Sequence, residues 1–232
     1  MIKKIKCLIL VALMGTSYSQ EQAGCSLRFT LHDPINPVAD LYVKNAAGEM
    51  EKIQFLPQAL SQPMAVLLQD KNLLLYSKPE IDPKEPLKNL AARCELAGRR
   101  GMIVVIPAAP KSKLPYLVFA LDDDSQNFGK GESRVLNVTQ VEMAAEFGGA
   151  KYSIHPGKFS AIKKVTKVNE FNMGQANFYY KHDDAWVLFS ERQLQFLDNT
   201  RRLFIVYTTP GSTVPFLLTI ADHAPTVILG KP

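Results

Sequence analysis

The chain has 232 residues, 47% of them hydrophobic and 21% charged, with 27 Lys and Arg against 22 Asp and Glu. Three of those lysines, Lys3, Lys4 and Lys6, fall in a removable leader, so 27 less 3 leaves 24 against 22. That near-neutral balance gives no footing for a nucleic-acid partner. After the leader no apolar run approaches the ~18 residues of a membrane span.

The first 19 residues read as a secretory signal. A basic start precedes a short apolar run from Cys7 to Met14, and Ser17-Tyr18-Ser19 offers small residues for cleavage between Ser19 and Gln20. The expected location is therefore periplasmic or extracellular. Cys7 leaves with the leader, and Cys25 and Cys94 remain. In an oxidising compartment they either form a disulfide or stay as two separate thiols. Ala23-Gly24-Cys25 resembles the end of a bacterial lipobox, but Gln22 occupies the aliphatic position. About ten polar or small residues also separate Cys25 from the apolar run, so lipid anchoring is not expected.

Beyond the leader, short apolar runs alternate with turn residues. The first half predicts strands over 26–32, 40–44, 50–56, 64–69, 73–77, 91–96, 102–106 and 116–121. The second half predicts them over 134–138, 143–147, 151–154, 159–165, 176–181, 186–189, 203–208 and 216–220. Ala47-Gly48 and Gly148-Gly149 suit tight turns that need positive φ. The stretch 87–97 is ambiguous, since its helix formers ending at Gly98 also allow a short helix. The runs 102–106 and 116–121 are apolar throughout, which marks central strands or an interdomain face. The tail from Ala224 has no counterpart in the first half and is either a frayed end or an extra edge strand through Thr226–Leu229.

The two halves read alike. Arg99-Arg100 opens an apolar strand, a Pro-containing loop follows, and Pro115 opens another. Arg201-Arg202, a second Pro loop and Pro215 repeat the order at offsets of 102 and 100. Leu73-Leu74-Leu75-Tyr76-Ser77 matches Trp186-Val187-Leu188-Phe189-Ser190, while Ser26-Leu27-Arg28-Phe29 matches Ser133-Arg134-Val135-Leu136 only loosely. The expected fold is all-β: two tandem Ig-like β-sandwich domains related by internal duplication, over 20–123 and 124–232. The polar run from Asp122, with Gly129 and Gly131, is the expected linker.

Chemistry-bearing motifs are sparse. His32, His155, His182 and His223 lack metal-ligand spacing, and His182-Asp183-Asp184 reads as a solvated hairpin tip. Asp122-Asp123-Asp124 departs from a calcium loop. No nucleophile elbow or phosphate loop occurs, so no catalytic residue, metal or cofactor is assigned. Asn137-Val138-Thr139 matches a glycosylation acceptor. The paired arginines Arg99, Arg100, Arg201 and Arg202 either keep strand starts soluble or contact an anion through their guanidinium forks. Tyr179, Tyr180, Trp186, Phe189 and Tyr207 are candidates for a sugar-stacking platform, though alternation sends Tyr179 and Tyr180 to opposite faces.

Arg134-Val135-Leu136-Asn137-Val138-Thr139, Phe147-Gly148-Gly149 and Pro156-Gly157 carry one resemblance. Over about residues 130–210 the chain resembles a group of uncharacterised exported bacterial β-sandwich proteins. The resemblance implies fold and location and carries no activity. The expected function is an exported, non-catalytic binding or structural protein of the cell envelope, engaging an envelope protein or surface polysaccharide. A periplasmic chaperone-like assembly factor for surface fibres is a second class, although no paired cleft Arg and Lys for a partner's carboxylate can be identified. A carbohydrate-active protein is a third, and sandwich folds host all three.

Overall fold

A computed structural model describes residues 24–33, 36 and 39–223. The expected leader and the Thr226 to Leu229 strand lie outside the described residues. Among the described residues the chain is all-β, with sixteen strands and no helix. In the first half these are β1 (Cys25–Leu31), β2 (Tyr42–Lys44), β3 (Met50–Lys52), β4 (Met64–Val66), β5 (Asn72–Tyr76), β6 (Leu90–Glu95), β7 (Arg100–Pro107) and β8 (Tyr116–Asp122). In the second half they are β9 (Ser133–Asn137), β10 (Met143–Phe147), β11 (Ala150–Ile154), β12 (Phe159–Ile162), β13 (Met173–His182), β14 (Ala185–Gln195), β15 (Thr200–Tyr207) and β16 (Phe216–His223). The ambiguous stretch 87–97 resolves as strand β6, whose Ala91 and Ala92 are buried in the core.

Four four-stranded sheets form, in the orders β4-β1-β7-β8 and β3-β2-β5-β6, then β12-β9-β15-β16 and β11-β10-β13-β14. Adding eight to every strand number turns the first pair of sheets into the second. The one parallel pairing recurs as well, β1 with β7 and β9 with β15. Each half is thus a sandwich-like unit of an inner and an outer sheet. In the first unit Leu27, Phe29, Ile103 and Val105 meet Val43, Leu73 and Leu75 from the outer sheet. In the second, Phe204 of the inner sheet meets Phe147 and Phe178 of the outer, with ring centroids 5.6 and 5.3 Å apart.

The inner sheets pack against each other through their remaining faces. Val104 and Ile106 of β7 meet Leu136 of β9, Leu203 and Ile205 of β15, and Ile220 of β16. The result is four layers with both inner sheets covered on both sides. That explains the unbroken apolar runs Met102–Ile106 in β7 and Leu203–Val206 in β15: a strand with no wet face has no polar alternation. The outer strands β13 and β14 alternate, and extend beyond their expected bounds into polar residues.

Facing and register fix how the halves correspond. Phe29 pairs with Ile103 and Val135 pairs with Phe204, and each pair points into its own sandwich. Ile103 therefore corresponds to Phe204, an offset of 101. Three residues earlier, Arg100 corresponds to Arg201, and Arg99 falls on Thr200. The expected match of Arg99 with Arg201 is one residue out of step, which in a strand exchanges one face for the other. On β1 and β9 the same rule sets Arg28 on Arg134. At the ends of β8 and β16, Asp123 bonds to the Arg100 carbonyl and Asp222 pairs with Arg201, so Asp123 corresponds to Asp222.

The β10–β11 turn shows its chemistry plainly. Gly148 and Gly149 have φ of 55° and 88°, as a two-residue type I′ hairpin requires. A Cβ on Gly148 would stand 2.8 Å from Val165 Cγ1 and 3.3 Å from the Lys167 carbonyl. Gly148→Ala is expected to cost about 1–3 kcal/mol through strain and overpacking together, read as a lower urea midpoint at unchanged m-value.

Candidate functional site

The four arginines singled out by the sequence separate into two kinds. Arg99 and Arg100 are exposed at the start of β7. Arg201 is 1% exposed and is the largest fully buried side chain among the described residues, and Arg202 is also buried. For Arg201 the strand-edge solubility reading is overturned: its guanidinium lies inside the joint between the two units. Arg202 turns the other way, donates to the Gln195 carbonyl, and sets its Cζ 5.4 Å from the Phe196 ring centroid.

Arg201 belongs to a four-member ionic cluster. Arg28 on β1 is bidentate to Asp123, through Nε to Oδ2 at 2.8 Å and Nη2 to Oδ1 at 2.9 Å. It is bidentate again to Asp222, with bonds of 2.8 and 3.0 Å. Arg201 donates from Nε to Asp222 Oδ2 at 3.0 Å, from Nη2 to Asp123 Oδ1 at 2.7 Å and from Nη1 to the Phe128 carbonyl at 3.0 Å. Its Cζ lies 4.5 Å from the Phe128 ring centroid, and the Cζ of Arg134 lies 4.6 Å from the same ring. Two guanidinium ions meet two carboxylates, so the cluster is neutral and its forks are matched.

The strand faces explain why these residues converge. Arg28 sits between Leu27 and Phe29, which point into the first sandwich, so Arg28 must point into the joint. Asp222 lies across from Arg201 in the β15–β16 ladder. Asp123 follows β8, and its main-chain N–H donates to the Arg100 carbonyl. Burial alone would push the Asp222 carboxyl up, but hydrogen bonds and charge from Arg28 and Arg201 overcome it and hold the group below the usual carboxylate range. Burial likewise disfavours charge on Arg28, and the two aspartates reverse this and raise its pKa.

Arg28, Asp123, Asp222 and Phe128 were not singled out as site residues by their sequence pattern. β1 reads Cys25-Ser26-Leu27-Arg28-Phe29-Thr30-Leu31, so its polar positions alternate as those of a wet face do, and only the structure shows that Arg28 and Thr30 on that face are buried.

The other candidates disperse. Cys25 and Cys94 lie in opposite sheets of the first sandwich, and both are free thiols. Burial pushes the Cys94 thiol up to about 11 and also raises Cys25, which Arg99 partly opposes. Neither is a poised nucleophile. Asp122 accepts from Asp124 N and Asn127 Nδ2, so the acidic run is a folded connector around the ion cluster. His182 and Asp183 sit at the exposed β13–β14 tip. Among the described residues no three His, Cys, Asp or Glu are placed to share a metal ion.

Asn137 is fully buried and its Nδ2 donates to the carbonyls of Val141 and Ile154, so the sequon is a structural clip inaccessible to a glycan. The aromatic candidates split three ways. Tyr180 and Phe189 join the second core, Tyr179 and the 49% exposed Trp186 belong to the outer face, and Tyr207 lies at the joint.

No protein-family model matches the chain, and no curated protein matches it.

Removing Arg201 leaves two buried aspartates with one cation. Arg201→Met is expected to destabilise the protein by about 3–5 kcal/mol, and Arg201→Lys to restore little of it because an ammonium cannot reproduce the fork. Denaturant unfolding of the three proteins checks both statements. The depressed Asp222 carboxyl contributes stability that is complete above its unfolded pKa and lost as pH falls through the lower folded value. Thermal melts are expected to stay level from about pH 7 to 5 and fall below about pH 4, with a smaller fall in Asp222→Asn than in the parent.

Proposed function

We propose that this chain is an exported, non-catalytic binding or structural module of the cell envelope, built from two copies of one Ig-like unit. The observation that carries the reading is the joint. Its buried charges, Arg28, Asp123, Arg201 and Asp222, are paired with one another, with one further bond from Arg201 to the Phe128 carbonyl, and the apolar inner sheets meet beside them. Such a joint holds two sandwiches as one rigid body and leaves its ionic groups engaged in structure. A rigid pair of sandwiches presents loops and sheet faces at fixed separation, which suits adhesion or scaffolding.

Support for export comes from the leader pattern before Gln20. Support for descent from one unit comes from the repeated strand order and parallel pairing. The partner class this reading favours is envelope polysaccharide.

The test is fractionation of cells producing the tagged full chain, with in-cell crosslinking and identification of what is captured. The expected result is a leaderless protein in the periplasmic or surface fraction, crosslinked to polysaccharide or to itself. Retention of the uncleaved chain in the cytosol would overturn export. Capture of one fibre subunit through an added strand would replace the reading with an assembly factor.

A further inference from the structure

We propose that the cavity at the end of the joint opposite the ion cluster is a binding site for a neutral saccharide. This rests on the envelope-binding reading and names the ligand class for it. The cavity measures about 530 Å³ and lies between the β7–β8 loop of one unit and the β15–β16 loop of the other, with the ends of β1 and β9 beneath. That size lies within the range of small-molecule sites, which favour interfaces between domains.

The correspondence of the two halves makes the lining informative. At offset 101, Ile106, Pro107 and Ala108 on one wall correspond to Tyr207, Thr208 and Thr209 on the other. At offset 106, His32 beneath the cavity corresponds to Val138. Closing the joint requires only apolar contact from both walls. Instead one wall is apolar, and the equivalent positions opposite carry a phenol and two hydroxyls, with an imidazole below. Asp33 adds a carboxylate that accepts from the main-chain N–H and the Nδ2 of Asn36, which fixes its orientation.

These groups mix donors with acceptors, and among the described residues no Lys or Arg lines the cavity. The lining therefore disfavours phosphate and other anions. Small apolar surfaces facing hydroxyls, a phenol, a neutral imidazole and one carboxylate match a sugar ring, which has C–H faces and hydroxyl edges.

Two further features fit. The Tyr207 ring is held between neighbours, stacked on Phe216 at 5.7 Å and 24° and edge-on to His32 at 4.2 Å and 63°. It is a preorganised element that loses little freedom on binding. His32 Nε2 is shielded from water and has no hydrogen-bond partner among the described residues. An unpaired buried nitrogen costs free energy, and a small turn of the ring on binding would pair it with a ligand hydroxyl. Burial lowers the His32 pKa, with Asp33 opposing, so the imidazole is neutral at pH 7 and the site gains no positive charge.

The experiment is titration calorimetry of the mature full chain with four probes: neutral hexasaccharides of glucose and of N-acetylglucosamine, a hexamer of galacturonic acid, and an uncharged decapeptide. The expected result is binding of a neutral hexasaccharide, weakened about tenfold in Thr208→Val/Thr209→Val through loss of two neutral hydrogen bonds. That variant conserves shape at the loop and should melt with the parent. Tyr207→Ala should weaken binding further. The histidine nitrogen NMR signal of His32 should shift on binding in the parent.

Unchanged affinity in the threonine variant would overturn the site while leaving a sugar-binding envelope module intact. Binding of the galacturonate or the peptide alone, or of no saccharide, would overturn the ligand class. A protein found in the envelope that binds no sugar loses this inference and keeps the proposed function. One that binds sugar here but stays in the cytosol loses the proposed function and keeps the site.

Discussion

The structure depends on burying two inner sheets against each other with an ion cluster at one end of the contact. Apolar faces alone set no unique alignment between sheets, because Val, Ile and Leu side chains pack in many offsets. Arg28, Asp123, Asp222 and Arg201 remove that freedom. Each guanidinium forks onto carboxylates from both units, so a shift of either sheet by one residue would strand charges in a dry interior. Dehydrating four ions is costly, and the matched geometry offsets it. Alignment is the main return from such a cluster.

The joint is not an even exchange between equivalent halves. Asp123 and Asp222 correspond, and both take part. The arginines that serve them do not correspond: Arg28 comes from the first strand of unit one and Arg201 from the seventh strand of unit two. Their counterparts have other work. Arg134 packs on Phe128 and bonds to Glu132 and the Asn127 carbonyl, while Arg100 faces solvent. The connector between the units explains the difference. It places Phe128 beside Arg201 and Arg134, with no equivalent among the described residues. Tandem linkage therefore breaks a symmetry that two separate chains could keep.

The same asymmetry recurs at the far end of the joint, where hydroxyls and an aromatic ring stand opposite proline and alanine. The two ends differ in build. One is closed and neutral, with its ions bonded to one another and to the Phe128 carbonyl. The other is open, carries polar groups turned outward and lies between loops whose length and composition can vary without disturbing the sheets. A rigid base under such loops is the arrangement in which a ligand site can diverge while the fold persists.

The strands and turns were legible because they rest on local chemistry. Period-two patterns, Gly148-Gly149 at a type I′ turn and the repeated order of apolar runs determined an all-β chain of two similar halves. Within the inner strands that legibility ended. Leu203 to Val206 is apolar at every position, so nothing in the letters says which residues face the sandwich and which the joint. The matching Arg-Arg pairs align Arg99 with Arg201, one residue out of step. Only strand pairing resolved it, by setting Val135 beside Phe204 and Phe29 beside Ile103. The burial of Arg201 was likewise a tertiary decision. Its stability as an ion depends on Asp123, 78 residues away, and on Asp222, 21 away across a hairpin. A sequence displays each charge singly, whereas the cost of burying a charge is set by the partners that the fold brings within 3 Å.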